Sequence, residues 1–359
     1  ERSVEPRATT IDFPDGRSYS GEVLNGQPHG TGRMTWPNGD VYEGEFQNGL
    51  LNGAGKLRAS YGWTYTGAFV NDKRNGKGTQ VWPHGFSYSG DWLDDVMEGK
   101  GIMTFPDEKR YVGEVRQNKP HGKGEFFWPN GDKYSGDVAD GEPEGQGVFN
   151  WANGDKYTGG VSKGQRHGQG SFVGKNGVTY TGDYNYNQKH GKGKYRTASG
   201  LIYEGQFVED YMEGAGILKW PDGSEYQGEF KGGNLNGKGV YSWPGQFKYV
   251  GDFKDGKRNG EGTFTWNDGS MYQGAFKDDA RHGKGTLKLA NGKTYDGTFS
   301  MDKFDGTGEY IWPDGTKYSG ALKSDTREGP GKLIGPAGEV LFDGTWEKDQ
   351  PVVVKPGTP

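Results

Sequence analysis

Fourteen tyrosines, Tyr19, Tyr42, Tyr65, Tyr88, Tyr111, Tyr134, Tyr157, Tyr180, Tyr203, Tyr226, Tyr249, Tyr272, Tyr295 and Tyr318, follow one another at intervals of 23 residues. A fifteenth copy of the pattern comes after one inserted residue, with Phe342 in the tyrosine place. A fixed period of this length decides architecture before any local propensity does, because each copy is one small unit that must stack on its neighbours. The sequence reads as one continuous array over residues 9–346, opening with a half repeat at 9–18, between short tails at 1–8 and 347–359.

Composition by itself suggests disorder: 30% hydrophobic residues, a mean hydropathy of −0.96 and 68 glycines in 359 residues. Placement argues otherwise. Counting from each Tyr as position zero, Gly occupies positions 2, 11 and 13 in all fourteen copies and position 20 in twelve of them. Low-complexity linkers do not keep such register.

The apolar residues within a copy alternate with period two, which predicts a β-hairpin. Tyr42, Gly44 and Phe46 share a face on the first strand, and Gly55, Leu57 and Ala59 share it on the second. The second strand is expected to end on Trp, as at Trp128, Trp220 and Trp266, and Pro-Asn-Gly or Pro-Asp-Gly then turns the chain. The other connection reads as a looser loop of about six polar residues, "QNGLLN" before Gly53. An inward Gly beside Tyr and Trp, such as Gly136 beside Tyr134, leaves a flat slot for a neighbouring ring. One hairpin cannot bury its rings alone, but a stack can.

Tyr-x-Gly-x-Phe, then Gly-x-Gly, then Trp-Pro-x-Gly, on a 23-residue step, resembles the MORN repeat family over roughly residues 9 to 346. Gly174 and Thr197 depart from the Trp place, and Glu108 and Gln246 from the turn Gly, so the sheet is expected to bend there. The resemblance implies an all-β fold, an elongated twisted single antiparallel sheet of stacked hairpins with a groove, used as a scaffold. Members include junctional proteins that bridge membranes, arrays beside plant phosphoinositide kinase domains, radial spoke heads of cilia, and protist cytoskeletal proteins made of little else. The chain is most similar to the last kind.

Catalysis finds little support in the residues. His29, His121, His167, His190 and His282 all fall at position 10, where Asn52, Glu98, Glu213 and Asp305 also occur, so the place suits any polar loop residue. Hairpins roughly 9.5 Å apart could not bring two such groups onto one metal at ~2.1 Å. The Gly-x-Gly pairs lack the third Gly and the helix of a dinucleotide loop. With no cysteine, thiol catalysis, zinc–cysteine sites and disulfides are excluded. The expectation is a chain that is not an enzyme and needs no metal or cofactor.

A balance of 43 basic against 48 acidic residues argues against a general nucleic-acid binder. A local exception is Lys77, Lys100 and Lys123 at position 12 of consecutive copies, with Arg110 and Lys133 nearby, which could meet phosphoinositide head groups; exposed loop lysines are the plainer reading. The favoured function is a scaffold that binds proteins along its groove in a cytoskeletal or membrane-proximal assembly. The alternatives are a phosphoinositide-binding membrane tether and the accessory array of a larger enzyme. No apolar span of ~18 residues, no signal-like segment and no glycosylation sequon occur, which points to the cytoplasm. An open strand at each end needs a cap or a partner. Phe342, Trp346, Val352 and Val354 are the candidate edge for a homodimer through the last repeats, with Val352 to Val354 as a short closing strand.

Fifteen hairpins of two strands at ~4.7 Å spacing predict a rod of about 140 Å, whereas a globule of this length spans roughly 45 to 50 Å. Small-angle scattering on the purified chain separates the two, and a compact profile would refute the array.

Overall fold

The computed structural model describes residues 7–353, and among these there are thirty-one strands and no helix. The chain divides into two compact units, residues 1–175 with 184–187 and residues 176–183 with 188–359. In each unit the strands form an antiparallel meander, every strand pairing with the next. The first runs from Arg7–Asp12 to Gln165–Val173 and the second from Gln188–Arg196 to Gln350–Pro351.

One copy shows how the sequence makes this. Strands Val41–Gln47 and Leu50–Arg58 pair with Tyr42 opposite Leu57, Gly44 opposite Gly55 and Phe46 opposite Leu51. The expected six-residue loop does not form: Leu50 to Asn52 already belong to the second strand. Only Asn48 and Gly49 turn, with φ of 51° and 81°. Two successive positive φ values define the type I′ turn, whose twist matches that of the strands it joins. The same pair recurs at every hairpin tip, including Asp278 (φ 47°) and Asp279 (φ 73°). The turn residues before it disguised the strand, whose position 9 both enters the core, as Leu51 does, and bonds to the next copy.

The second connection is tighter than a loop as well. The Trp36 N–H donates to Asp40 O at 3.0 Å and the Gly39 N–H to Trp36 O at 2.9 Å, closing a three-residue turn with Gly39 at φ 89°. Trp128 and Trp220 open this turn one residue beyond their strands, while Trp266 closes its strand. The irregular copies solve the turn differently. Glu108 adopts φ 65° itself, whereas in the other copy Gly245 (φ 74°) after Pro244 takes the left-handed place instead of Gln246, a type II arrangement.

Packing turns on two glycines facing each other. A Cβ on Gly55 would lie 2.2 Å from the Tyr42 hydroxyl, and one on Gly44 would lie 2.4 Å from the Gly55 Cα. The slot is therefore filled by the Tyr of the same copy, a correction to the expectation of a neighbouring ring. Neighbours meet through Phe instead: Phe46 stands edge-on to its own Tyr42 at 5.1 Å and to Tyr19 of the preceding copy at 5.0 Å. Tyr42 is thereby fully buried, and its hydroxyl donates to the Glu45 carbonyl at 2.9 Å. Burial pushes phenols such as Tyr65 up to about 12, so the row stays neutral and only donates.

Turns also bond copies together. The Asp72 N–H donates to Leu51 O at 3.0 Å while Asp72 Oδ1 accepts the Leu51 N–H at 2.8 Å. Where position 9 is Arg, the link strengthens: Arg258 Nε reaches Asp279 Oδ1 at 3.1 Å and its guanidinium lies 5.1 Å over Phe264 and 5.4 Å over Phe276. The residue inserted near the end is absorbed by a bulge at Leu341, since Leu333 faces Phe342 and Ile334 faces Val340.

Two expected outcomes test this packing. A Cβ at Gly136 would lie 2.4 Å from Gln146 O, so Gly136→Val is expected to destabilise by about 1 to 3 kcal/mol or more in denaturant melts. Lys123→Ala, which removes only an exposed ion pair, is expected to cost less than about 1 kcal/mol. Equal midpoints for the two would refute the ring-on-glycine account. Relieving the left-handed Glu108 by Glu108→Gly is expected to stabilise by roughly 1 kcal/mol before glycine's entropy cost; a lowered midpoint would show that no strain resides there.

Candidate functional site

Alternation sends positions 1, 3, 12 and 14 to the face opposite the tyrosines, and there the first unit carries a shallow groove of about 770 Å³. Its floor is the glycine backbone at Gly78, Gly90, Gly101 and Gly113, and Lys77, Lys100 and Lys123 line it together with Thr66, Ser89 and Val112. The three lysines singled out from sequence thus share one surface. Each stands directly across from an acid: Lys77 opposite Asp91, Lys100 opposite Glu114 and Lys123 opposite Asp137.

The acids hold the structure as well as the lysines. A bulge after Gly90 lets Asp91 Oδ2 accept the Lys100 N–H at 2.9 Å while Asp91 Oδ1 meets Lys77 Nζ at 2.5 Å. The Lys77 ammonium foremost, with that N–H, holds the Asp91 carboxyl below the usual range. Lys123 does the same for Asp137, with which it pairs. Gly53 sits at the matching bulge of its own copy, at φ 92° over Glu45 rather than under a ring. The second unit has a comparable groove of about 650 Å³ in which Lys238 is paired with Asp252 at 3.2 Å and Glu261 adds a carboxylate.

Arg110 and Lys133 lie on the same face but in a different row, immediately before their tyrosines. Both stand directly across from Phe127, and their charged groups are each 5.7 Å from its ring. Lys156, which sequence reasoning passed over, continues this row across Asn150. The signal was present in the sequence, as a basic residue one place before Tyr111, Tyr134 and Tyr157. All three are exposed, and among the described residues none forms an ion pair with a carboxylate. The candidate stripe is thus two rows, one matched by acids and one not.

Other candidates are placed as follows. The Nδ1 atoms of His29, His167, His190 and His282 are buried without a hydrogen bond, one on each of four hairpins, and among the described residues no three His, Asp or Glu side chains cluster around a metal position. Trp128 is half-buried beside Phe126 at 5.8 Å. At the C-terminal end, Trp346 is buried against Tyr318 at 5.5 Å and Phe342 at 5.1 Å, with Arg327 over it at 4.1 Å. The closing strand is Gln350–Pro351, paired with Glu347 and Trp346, two residues earlier than expected. Val340, Leu341, Val352 and Val353 are the exposed apolar residues of this edge, and Val354 lies outside the described residues. Among the described residues no helix is long and apolar enough to cross a membrane.

Comparison with known proteins adds to this geometry. No curated protein matches the chain. Among solved structures, the G-box domain of the microcephaly protein CPAP is similar over 49% of this chain and 92% of that one, at 16% identity and a TM-score of 0.32. The TCP domain of Drosophila melanogaster SAS-4, solved with a proline-rich motif of Ana2, covers 61% and 87% at 16% identity and a TM-score of 0.20. A streptogramin B lyase covers 89% and 91% at 10% identity and a TM-score of 0.13. The family model described as "MORN repeat" matches fourteen consecutive segments from 19–41 to 318–340, each beginning at or beside the tyrosine of its hairpin. Shared period, shared turn residues and this match along nearly the whole length place the chain in the MORN-repeat family.

Proposed function

We propose that the chain is a non-enzymatic scaffold that binds other proteins along its outer face and organises a cytoplasmic assembly at the cytoskeleton or near a membrane. The observation that supports this most is how the chemistry of each copy is used. Tyrosine hydroxyls bond to carbonyls, turn aspartates bond to the preceding copy and bulge acids bond across their own strand pair. What remains for solvent is broad and shallow, suited to a surface contact rather than to enclosing a small substrate.

Membrane tethering through Lys77, Lys100 and Lys123 has less support, since each faces a carboxylate across the strand pair. We also propose a homodimer through the last copies. Trp346 is already covered within the chain, so the contact would use Val340, Leu341, Val352 and Val353.

Capture of partners from native lysate, beside a phosphoinositide-vesicle control, is expected to give a protein partner and no vesicle binding; vesicle binding alone would overturn the scaffold reading. Light scattering is expected to report twice 39.4 kDa, and removal of residues 318–359 to return a monomer. A dimer that survives the truncation would place the contact elsewhere.

A further inference from the structure

The unmatched row rests on a spacing that the fold fixes. Arg110, Lys133 and Lys156 occupy the same place in consecutive hairpins, each hairpin contributing two strands, so neighbouring cations start from backbone positions roughly 9.4 to 9.8 Å apart. An extended β-strand ligand repeats a face every ~6.7 Å, and an α-helix returns to one face after each turn of ~5.4 Å, about 10.8 Å for two turns, so neither keeps step. A polyproline II helix has three residues per turn at ~3.1 Å each, so every third side chain returns to the same face after about 9.3 Å.

We propose that this row binds an acidic polyproline II segment of a partner protein, with Asp or Glu at every third residue and proline between. The inference rests on the protein-scaffold reading and names its partner's chemistry. The parts are present in order across the sheet. Arg110 and Lys133 flank Phe127, whose half-buried ring offers a proline an apolar seat. Asn150 stands exposed between Lys133 and Lys156 and can donate to the ligand's backbone carbonyls, which carry no internal hydrogen bonds. Two acids beside the row hold the following turn instead: Asp132 accepts the Ala152 N–H at 2.8 Å and Asp155 the Lys175 N–H at 2.9 Å. Glu125, on the same face between Val112 and Ser135, forms no ion pair among the described residues and sets one side of the track. By contrast, Lys77 and Lys123 would have to give up Asp91 and Asp137 before meeting a ligand.

The test is fluorescence anisotropy on the full chain with a labelled (Glu-Pro-Pro)5 peptide and a block peptide of equal composition with all Glu residues together. The periodic peptide is expected to bind more tightly than the block peptide, and to lose about tenfold in affinity on Arg110→Gln, Lys133→Gln and Lys156→Gln combined, the scale set by three exposed ion pairs. Lys77→Gln with Lys123→Gln is expected to change affinity less than about twofold. Phe127→Ala with an unchanged melting profile is expected to weaken the periodic peptide and not the block one. Equal binding of the two peptides, equal effects of the two lysine rows, or binding only to phosphoinositide vesicles would each overturn the proposal. If peptide binding fails while lysate still yields a protein partner, this inference alone falls and the scaffold reading stands.

Discussion

Everything in this fold depends on a tyrosine ring lying flat on glycine backbone. A sheet one layer thick has no opposite layer to close its apolar face, so an ordinary alternating strand would leave its rings half in water. Facing glycines remove the only atoms that would hold the ring off the backbone, and the phenol then reaches past them to a carbonyl: Tyr111 donates to Glu114 O at 2.5 Å and Tyr249 to Asp252 O at 3.0 Å. The ring gains burial and a partner for its one polar atom together. Phe at position 4, edge-on to two tyrosines, completes the cover, as Phe276 does at 5.1 Å from both Tyr249 and Tyr272.

That contact explains why a composition suggesting disorder gives ordered structure. Glycine normally costs a strand entropy and packing, and here it is the condition for packing. It also explains why stability is a property of neighbours, since a Tyr without the next Phe is open on one side and a turn Asp without the preceding copy has no N–H to accept. Arginines at position 9 reinforce the joint where they occur, with Arg74, Arg281 and Arg327 each paired with the Asp of the following turn. Other copies place Pro120 or Leu51 there and rely on burial instead.

The architecture was legible because periodicity is a count and needs no energy estimate. Hairpins, their shared apolar face and the Pro-Asn-Gly turn all follow from residues that recur in register. The length of the hairpin tip was not legible because Asn48-Gly49 is a strong turn signal that does not by itself say where the next strand begins. Leu51 and Asn52 already bond to the next copy, at Asp72 and Asn71. Which ring fills the slot was not legible, because spacing along the chain cannot tell Tyr42 over Gly55 from a ring of the next copy. Position 12 was legible as a row of lysines, but not the acids facing it, since Lys77 and Asp91 are fourteen residues apart and meet only through the register of two hairpins.

The two faces consequently carry different kinds of information. On the tyrosine face almost every place is fixed by sterics, and substitutions such as Gln80 are absorbed by a dedicated partner, here Arg74. On the outer face the backbone sets only distance and direction, so Thr31, Lys77, Gln146, Glu261 and Pro330 can all occupy position 12. A ligand that contacts several copies meets side chains on a ruler it cannot change, with one mark per hairpin. Binding energy on such a surface comes from matching a sequence of marks, so charges already neutralised across a strand pair contribute little and unmatched ones contribute most. The arrangement of Arg110, Lys133 and Lys156 beside a paired row is therefore a difference in availability between two sets of cations on the same ruler, and register between hairpins, rather than basic content, decides which set can act.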